Sequence, residues 1–364
     1  MWSRSMNSDR RGFLGGVASG LAGGLLWSPE VRSGGRPRGL YDEQSPTAFL
    51  MISDTHVLAD AADAAKLDQR SVAVTERFVD CLNGLSGTEI PESAGGGRVR
   101  ELRGVIHGGD CIDTGDKPRV DMQRTEWAGF EDFYGLTGRE GRLRLPLYEV
   151  HGNHDSPRGD GYAVQQIRRR NRERVGLTAV SENGLHYSWD WGPVHFVNLG
   201  IVVGEVSEPA RRRRYAPLGS LQFLQDDLQK HVGSSGRPIV VTHHIDVLRY
   251  AQPLPVETVR AEGMEWDPAD VHAYYEALRE YRVAGILYGH THGRNIFRWD
   301  GTAKAGKSGV PTFNCDNSSH FGGSQQAFLY FEIWPDRLLV REYGTRDGWS
   351  TAGWTPQFWQ MDLT

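Results

Sequence analysis

The stretch that decides the fold is Ala-Phe-Leu-Met-Ile-Ser-Asp-Thr-His at residues 48–56, an apolar run that ends in metal-binding residue types. Four more short clusters follow the same plan, with Asp, Asn or His placed just after a predicted strand. Such carboxylates, amides and imidazoles are the donors that a pocket for two metal ions requires. The five clusters are Ser53-Asp54-Thr55-His56, Gly108-Gly109-Asp110, Gly152-Asn153-His154-Asp155, Thr242-His243-His244 and Gly289-His290-Thr291-His292.

Around these clusters, apolar runs alternate with stretches of helical periodicity. In this α/β pattern, polar residues that follow the strands meet at the carboxyl edge of a sheet. We therefore expect the five clusters to converge on one site. The predicted elements of the first half are strand Ala48–Ile52, helix Ala64–Leu85, strand Gly104–His107, helix Met122–Tyr134 and strand Leu145–Val150.

The second half predicts a hairpin that turns at Trp191-Gly192-Pro193, helices over residues 218–231 and 268–281, and a closing antiparallel run over residues 297–343. Two segments are longer than the core needs, near residues 156–180 and 245–266. Long loops beside a site commonly act in function. We expect both to be insertions in a single domain.

The five ordered clusters resemble the blocks D-x-H, G-D, G-N-H-D/E, H and G-H-x-H of the calcineurin-like metallophosphoesterase superfamily. The likeness extends from Asp54 to His292, most of the chain. It implies a four-layer αββα sandwich of two mixed β-sheets flanked by helices, in one domain over residues 47–364. Purple acid phosphatases differ, because His56 replaces their glycine and Asp113 stands where their iron-binding tyrosine is expected.

The resemblance implies a binuclear metal centre for two divalent or trivalent ions. Mixed imidazole and carboxylate donors accept Mn, Fe, Zn or Co, so the pattern does not choose among these metals. Asp110 is the expected bridge, because one carboxylate can offer an oxygen to each ion. The implied ligands are Asp54, His56, Asp110, Asn153, His243, His290 and His292.

Within the pair His243-His244, the first histidine is expected to be the ligand and the second to face the substrate. The implied nucleophile is a metal-bridging hydroxide. His154 resembles the family's catalytic histidine, which protonates the leaving group or holds the phosphate. Asp155 is expected to orient His154. Two further candidates for substrate contact are Asn317 and His320.

The implied activity is hydrolysis of phosphate esters, with monoester and diester substrates both open. The basic stretch over residues 168–174 favours a multiply charged small molecule, such as a nucleotide, a sugar phosphate or a phospholipid head group. Arg211–Arg214 is expected to be a solvated loop rather than a phosphate clamp. Two alternative functions stay open, a non-catalytic binding scaffold and a nuclease-type diesterase. The net charge of -5 argues against nucleic acid as the partner.

Residues 1–34 are typical of an export signal. Arg10-Arg11 followed by Phe13-Leu14 and a Gly/Ala/Leu stretch resembles a twin-arginine signal, read by the twin-arginine export machinery. The stretch is shorter than the ~20 apolar residues that span a bilayer, so we expect no transmembrane segment in the mature chain. Residues 35–46 predict a linker. The expected location is therefore periplasmic or extracellular.

Overall fold

The computed structural model of the protein describes residues 45–209, 213–250, 265–302, 304–323 and 325–363. In this part of the chain, two mixed β-sheets pack face to face and helices cover their outer faces. The four-layer αββα sandwich implied by the motifs is confirmed. The predicted export signal and nearly all of the predicted linker lie outside the described residues.

Strands and helices alternate through most of the described chain. The strands are β1 (Thr47–Ile52), β2 (Val105–His107), β3 (Leu147–Glu149), β4 (Leu177–Val180), β5 (Tyr187–Trp191), β6 (Val194–Asn198), β7 (Ile239–Thr242), β8 (Val283–Tyr288), β9 (Asn295–Trp299), β10 (Val310–Asn314), β11 (Gln326–Ile333), β12 (Arg337–Thr345) and β13 (Gly353–Asp362). The α-helices are α1 (Gln69–Gly84), α2 (Val120–Phe133), α3 (Gly161–Glu173), α4 (Ser220–His231) and α5 (Pro268–Leu278). Short 3-10 helices lie at Glu92–Ala94 and Val247–Tyr250.

Each sheet combines parallel strands with antiparallel ones. The first sheet has the order β13-β12-β11-β1-β2-β3, in which β1, β2 and β3 are parallel. The second has the order β4-β5-β6-β7-β8-β10-β9, in which β6, β7, β8 and β10 are parallel. The closing antiparallel run that the sequence predicts is therefore divided, because β9 and β10 join the second sheet while β11 and β12 join the first.

Strand β1 shows why these strands are continuous apolar runs. Leu50 and Ile52 pack toward α1 and α2, while Phe49 and Met51 point between the two sheets. Because successive side chains of a strand point to opposite faces, a strand that is covered on both sides must be apolar throughout. The two buried faces hold β1 in place and fix where its carboxyl end delivers Asp54.

Helices α1 and α5 begin at residues that cap them. The Asp68 carboxylate accepts hydrogen bonds from the N–H groups of Arg70 and Ser71, and the Asp267 carboxylate accepts one from Ala269 N–H. Side-chain caps of this kind satisfy backbone donors that have no partner within the helix.

Among the described helices, none combines the length and the apolar character needed to cross a bilayer.

The segment over residues 156–180 contains helix α3, which the sequence did not predict. Arg170 is buried there, and its Nε lies 2.7 Å from Glu149 Oε1. Arg174 also pairs with Glu149, and Arg169 pairs with Glu131 and Glu173. These arginines serve the packing of α3 on β3, so the inference from the basic stretch to a multiply charged substrate does not hold.

A second buried charge cluster lies on β6, where His195 sits between two carboxylates. Its Nδ1 lies 2.7 Å from Asp190 Oδ1, and its Nε2 lies 2.7 Å from Asp227 Oδ2. Burial disfavours the charged ring, but the hydrogen bonds to Asp190 and Asp227 prevail and raise the pKa of His195. The imidazolium is thus the form that the fold stabilises.

We expect His195→Gln to lower the free energy of unfolding by about 3 kcal/mol, because it leaves the buried Asp227 carboxylate without its cation. Since the pKa of His195 is raised by folding, this contribution is full below the unfolded pKa of about 6.5 and is lost as pH rises through the folded pKa. Urea unfolding at about pH 5.5 and about pH 9 measures the difference, with the exposed His272→Gln as control. An equal loss at both pH values would show that the ring is not held as a cation.

Candidate metal centre

The loops that follow the parallel strands of both sheets meet at one edge of the sandwich. Asp54 N–H donates to the Gly109 carbonyl oxygen at 3.0 Å, which joins the loops after β1 and β2. His290 N–H donates to Asp54 Oδ1 at 3.0 Å, which joins the loop after β8 to the first sheet. The expectation that the clusters converge on one site therefore agrees with the structure.

The first group of donors lies at the ends of β1, β2 and β8. One ligand atom from each of its members lies within 4.8 Å of those of the others. His56 Nε2 is 3.0 Å from His292 Nε2 and 3.6 Å from Asp110 Oδ2, while His292 Nε2 is 3.4 Å from Asp54 Oδ1. The members of this group are Asp54, His56, Asp110 and His292.

A second group of donors shares Asp110 with the first. It consists of Asp110, His244 and His290, again with ligand atoms within 4.8 Å of one another. His244 Nε2 lies 3.2 Å from Asp110 Oδ2 and 3.1 Å from Asn153 Oδ1, so the amide of Asn153 adjoins this group. A carboxylate common to two donor groups is what a bridging ligand between two ions requires.

Three of the imidazoles have one nitrogen fixed by an acceptor outside the donor groups. His244 Nδ1–H donates to the Gly108 carbonyl at 2.7 Å, and His56 Nδ1 lies 3.2 Å from Asp113 Oδ1. His290 Nε2 lies 3.0 Å from a carboxylate oxygen of Glu265. Ligand histidines almost always donate their second N–H to such a partner, which leaves the other nitrogen free for the metal. The donor set therefore fits two metal ions.

The electrostatics of the groups favour bound cations. Burial opposes ionisation of Asp54 and Asp110, but contacts with His292 and His244 respectively lower the pKa of each carboxyl well below its usual range. For His244, burial opposes charge, yet the attraction of Asp110 raises the pKa of its imidazole to about 9. A buried carboxylate that is anionic and attracts a cation this strongly suits a metal bridge.

The backbone of the ligand loops is held in an uncommon conformation. Positive φ angles occur at Asp54 (54°), His56 (42°), Asp110 (55°), His290 (73°) and His292 (49°). For a residue with a side chain, this left-handed region costs about 1–2 kcal/mol. Strain of this kind persists where the surrounding structure enforces it, and it is concentrated at functional sites. Here it turns the donor atoms of five residues toward the same space.

Glycines within the motifs let the ligand loops approach one another. Gly109 has a φ of +100°, and a Cβ at this position would lie 2.5 Å from His244 Nδ1. A Cβ at Gly152 would lie 2.2 Å from Asp110 Oδ1. Neither distance can be accommodated without moving a proposed ligand, so the Gly-Asp and Gly-Asn-His spacings follow from close packing.

The structure corrects the expectation for the His243-His244 pair. His244 faces the second donor group, whereas His243 is buried against the rings of Trp266, Tyr274 and Tyr288. Neither ring nitrogen of His243 has a hydrogen-bond partner among the described residues, and burial lowers its pKa to about 3. His243 is therefore a neutral core residue, and His244 is the candidate ligand of the pair.

We expect His244→Ala to weaken metal binding by more than about tenfold, because even partners of metal ligands contribute 10–100-fold to affinity. His243→Phe keeps an aromatic ring in the same apolar setting and should leave the metal content unchanged. Metal per chain after dialysis, measured by mass spectrometry on both purified variants, tests the assignment. Metal loss in His243→Phe with retention in His244→Ala would reverse it.

His154 lies at the rim of the first group, with its ring centroid 4.7 Å from that of His56. Its Nδ1–H donates to the Asp113 carbonyl at 2.9 Å, which leaves Nε2 free to face a bound molecule. Burial disfavours the charged ring, but the nearby Asp110 carboxylate prevails and raises the pKa of His154. A partly exposed imidazole with one nitrogen anchored suits proton donation.

The sequence led us to expect that Asp155 orients His154, but in the structure it does not. Its carboxylate accepts hydrogen bonds from the N–H groups of Gly152 at 2.7 Å, Ile112 at 3.0 Å and Cys111 at 3.2 Å. Burial and the adjacent Asp110 raise the pKa of Asp155 to about 7. Asp155 therefore joins the loops after β2 and β3, and Asp113 anchors His154 instead.

Glu265 is a site residue that the sequence analysis missed. It is buried, and its carboxylate contacts His290 as well as Arg249 and, at 3.5 Å, Arg214 Nη1. Burial opposes its ionisation, but the hydrogen bond from His290 prevails and lowers the pKa of Glu265 to about 2. A single glutamate 25 positions before its histidine carries no sequence pattern that could have revealed this contact.

The segment after β10 was expected to line the pocket through Asn317 and His320. The His320 ring lies 4.8 Å from the His56 ring and 5.1 Å from the His292 ring, so it borders the first group. Asn317 instead bonds within its own loop, to Asp316 and to the Gln325 carbonyl. The structure thus places His320, and not Asn317, beside the donors.

Comparison with known proteins identifies a family whose model matches most of the chain. The family model for calcineurin-like phosphoesterases matches residues 47–294. No functionally curated protein matches the chain. Among solved structures, a dimetal phosphatase from Danio rerio is 14% identical and covers 88% of this chain and 100% of its own, with a TM-score of 0.48.

Two further solved structures resemble the chain. Vacuolar protein sorting 29 from Cryptosporidium parvum is 11% identical, covers 88% of this chain and 100% of its own, and has a TM-score of 0.35. GAP50, the anchor in the inner membrane complex of Plasmodium, is 10% identical, covers 85% of this chain and 89% of its own, and has a TM-score of 0.43. Because these TM-scores lie below 0.5, family membership rests on the family model, which spans well over half of the sequence. The chain belongs to the calcineurin-like phosphoesterase family.

Proposed function

We propose that the protein hydrolyses small phosphate esters at this centre, with two metal ions bound by residues of a single chain. The observation that carries the proposal is the position of Asp110, whose carboxylate belongs to both donor groups. Family membership supports the same chemistry. A metal-dependent phosphoester hydrolase is thus the function that sequence, fold and site share.

The two donor groups divide the proposed ligands between the ions. When bound, the ions supply Lewis acidity toward the phosphoryl oxygens and activate a water as nucleophile. Asn153 contributes a neutral oxygen, which limits the negative charge that an anionic substrate meets. One ion would be held by Asp54, His56, Asp110 and His292, and the other by Asp110, Asn153, His244 and His290.

His154 is the proposed general acid. Its anchored Nδ1 fixes the ring, so that Nε2 can deliver a proton to the leaving oxygen as the bond to phosphorus breaks. Asp113 contributes twice, because its carbonyl accepts from His154 and its carboxylate contacts His56 Nδ1. Asp113 is therefore a positioning residue for both the acid and a ligand.

A non-catalytic scaffold is the alternative within the same fold. The donor groups and His154 are all present, which favours the enzyme, since a scaffold has no need of a positioned acid. A nuclease-type diesterase is disfavoured by the net negative charge.

Turnover of 4-nitrophenyl phosphate and bis(4-nitrophenyl) phosphate, before and after removal of metal, tests the proposed function. We expect metal-dependent release of nitrophenol, with the preferred ester deciding between phosphatase and phosphodiesterase. Absence of turnover on both esters by protein with verified bound metal would favour the scaffold.

We also propose that the chain is exported in folded form, on the strength of the paired Arg10 and Arg11 and the apolar stretch that follows them. Replacement of both arginines by lysine should retain the protein in the cytoplasm of a host that carries the twin-arginine machinery. Fractionation of cells that express the two forms measures this, and unchanged export of the lysine form would refute the proposal.

A further inference from the structure

A small polar pocket adjoins the proposed metal centre on the side of Asn153. Its volume is about 270 Å³, and it is lined by Asp116, Asn153, Pro157, Arg158, Arg214 and Tyr215. Because Asn153 belongs both to this pocket and to the surroundings of the second donor group, a molecule bound at the metals would extend directly into it. The pocket is smaller than the roughly 300–1,000 Å³ of drug-sized ligand sites, so it suits one substituent of a small substrate.

The Arg158 guanidinium is exposed at this pocket. No hydrogen bond or ion pair joins its side chain to another residue in the part of the chain that the structure describes. An arginine carries its charge at every working pH and presents a planar fork of donors that matches carboxylate and phosphate oxygens. Arg158 is thus placed to receive an anion.

Arg214 brings a second guanidinium to the same pocket. Its Cζ lies 5.3 Å from the centroid of the Tyr215 ring, which supports the side chain. Its acidic contact is Glu265, with Nη1 3.5 Å from Oε1, and Glu265 is also bound by Arg249 and His290. One carboxylate shared among so many donors cannot neutralise Arg214, which leaves positive charge at the pocket.

Asp116, the acidic residue in the lining of the pocket, does not cancel the positive charge of the two arginines. Asp116 Oδ1 lies 3.9 Å from Lys117 Nζ, which also contacts Asp113 at 3.3 Å. Asp116 is one carboxylate against the two guanidinium groups of Arg158 and Arg214 in the lining of the pocket. The neighbouring Arg213 is committed to Asp270, with its Nε 2.5 Å from Oδ2. The expectation of a solvated loop at Arg211–Arg214 agrees with the exposed side chain of Arg214 but not with Arg213, which pairs with Asp270. Arg211 and Arg212 lie outside the described part.

We propose that Arg158 and Arg214 form a subsite for a second anionic group of the substrate, so that the enzyme acts on small phosphate esters that carry a further phosphate or carboxylate. This inference rests on the proposed function and names the substrate class of the same site. The metal centre takes the phosphoryl group that is cleaved, and the two guanidinia take the other anion through charge-assisted hydrogen bonds.

A matched pair of substrates separates the two ends of the site. Glycerol 3-phosphate and 3-phosphoglycerate share a three-carbon skeleton, and only the second has a carboxylate besides its phosphate. We expect the wild type to prefer 3-phosphoglycerate. Arg158→Gln and Arg214→Gln should each lower kcat/KM for that ester about tenfold and change it less than about twofold for glycerol 3-phosphate. The exposed Arg172→Gln is the control and should change neither.

Equal losses on both esters, or no loss on either, would overturn the subsite, because the arginines would then hold the cleaved phosphoryl group or nothing. Turnover of 4-nitrophenyl phosphate by the same preparations tests the proposed function separately. If the wild type hydrolyses that ester but neither three-carbon ester, the proposed function stands, and calorimetric binding of both three-carbon esters to the metal-loaded full chain tests the subsite. Tighter binding of 3-phosphoglycerate that Arg158→Gln removes would support it, whereas equal binding of the two esters would overturn it.

Discussion

Asp110→Asn is expected to lower turnover of a phosphate ester by more than about 100-fold and to remove bound metal. Outer partners of metal ligands already contribute about 10–100-fold to affinity or activity, and Asp110 belongs directly to both donor groups. The amide is nearly the same size as the carboxylate, but it lacks the charge and the second acceptor oxygen needed to bridge two cations. The loss should therefore exceed that of any ligand confined to one group.

Metal per chain and kcat/KM, measured on the same preparations, test this expectation. Asp132→Asn is a matched control, because Asp132 is exposed on α2 and the substitution is chemically the same. Full metal content together with full turnover in Asp110→Asn would refute the bridging role.

His154→Ala should lower kcat by about 10²–10⁴-fold while the metal content stays at the wild-type level. The reason is that His154 stands beside the donor groups with Nε2 free, and its anchor is the Asp113 carbonyl rather than a metal ligand. An aryl phosphate with a good leaving group needs less protonation than an alkyl phosphate. The loss should accordingly be larger on the alkyl ester.

Parallel assays of 4-nitrophenyl phosphate and an alkyl phosphate, with metal analysis of each sample, measure this contrast. His272→Ala, at an exposed histidine on α5, controls for the loss of an imidazole as such. Loss of metal in His154→Ala, or an equal effect on both esters, would assign His154 to the ligand shell or to phosphate binding instead.

The family resemblance carried by the five ordered clusters was enough to predict the four layers. Strands such as β1 are buried on both faces, so they appear as unbroken apolar runs, and the residues after them reach one edge of the sandwich. Strand β13 escaped prediction because its side chains alternate between exposed and half-buried positions at the edge of a sheet, and Pro356 interrupts the pattern.

The direction in which individual side chains point could not be predicted from the sequence. His243 and His244 are adjacent, and which of them faces the donors depends on the turn after β7, where His244 N–H donates to the Gly200 carbonyl at 2.9 Å. The apolar surroundings of His243 come from α5 and Trp266, whose packing on β7 no local pattern specifies. Asp155 shows the same limit, because its partners are backbone N–H groups of two different loops.

Contacts between segments that are distant in the chain could not be predicted from the sequence either. Arg170 and Arg174 form part of a basic run in sequence, yet both pair with Glu149 on β3 in the core, and Arg170 also lies 3.7 Å from Glu131. Arg214 belongs to another basic run, and there the fold leaves the charge at a pocket. Only the positions of the acidic partners, set by tertiary packing, separate a structural arginine from one that can bind substrate.

The most direct test of the metal-dependent mechanism is a titration of metal-stripped protein with Mn²⁺, in which bound metal per chain and turnover of 4-nitrophenyl phosphate are followed together. We expect no turnover without metal and a maximum when about two ions are bound per chain, since the donor groups share Asp110 and act as one centre. Full turnover in the stripped protein, or a maximum at one ion per chain, would contradict the binuclear mechanism.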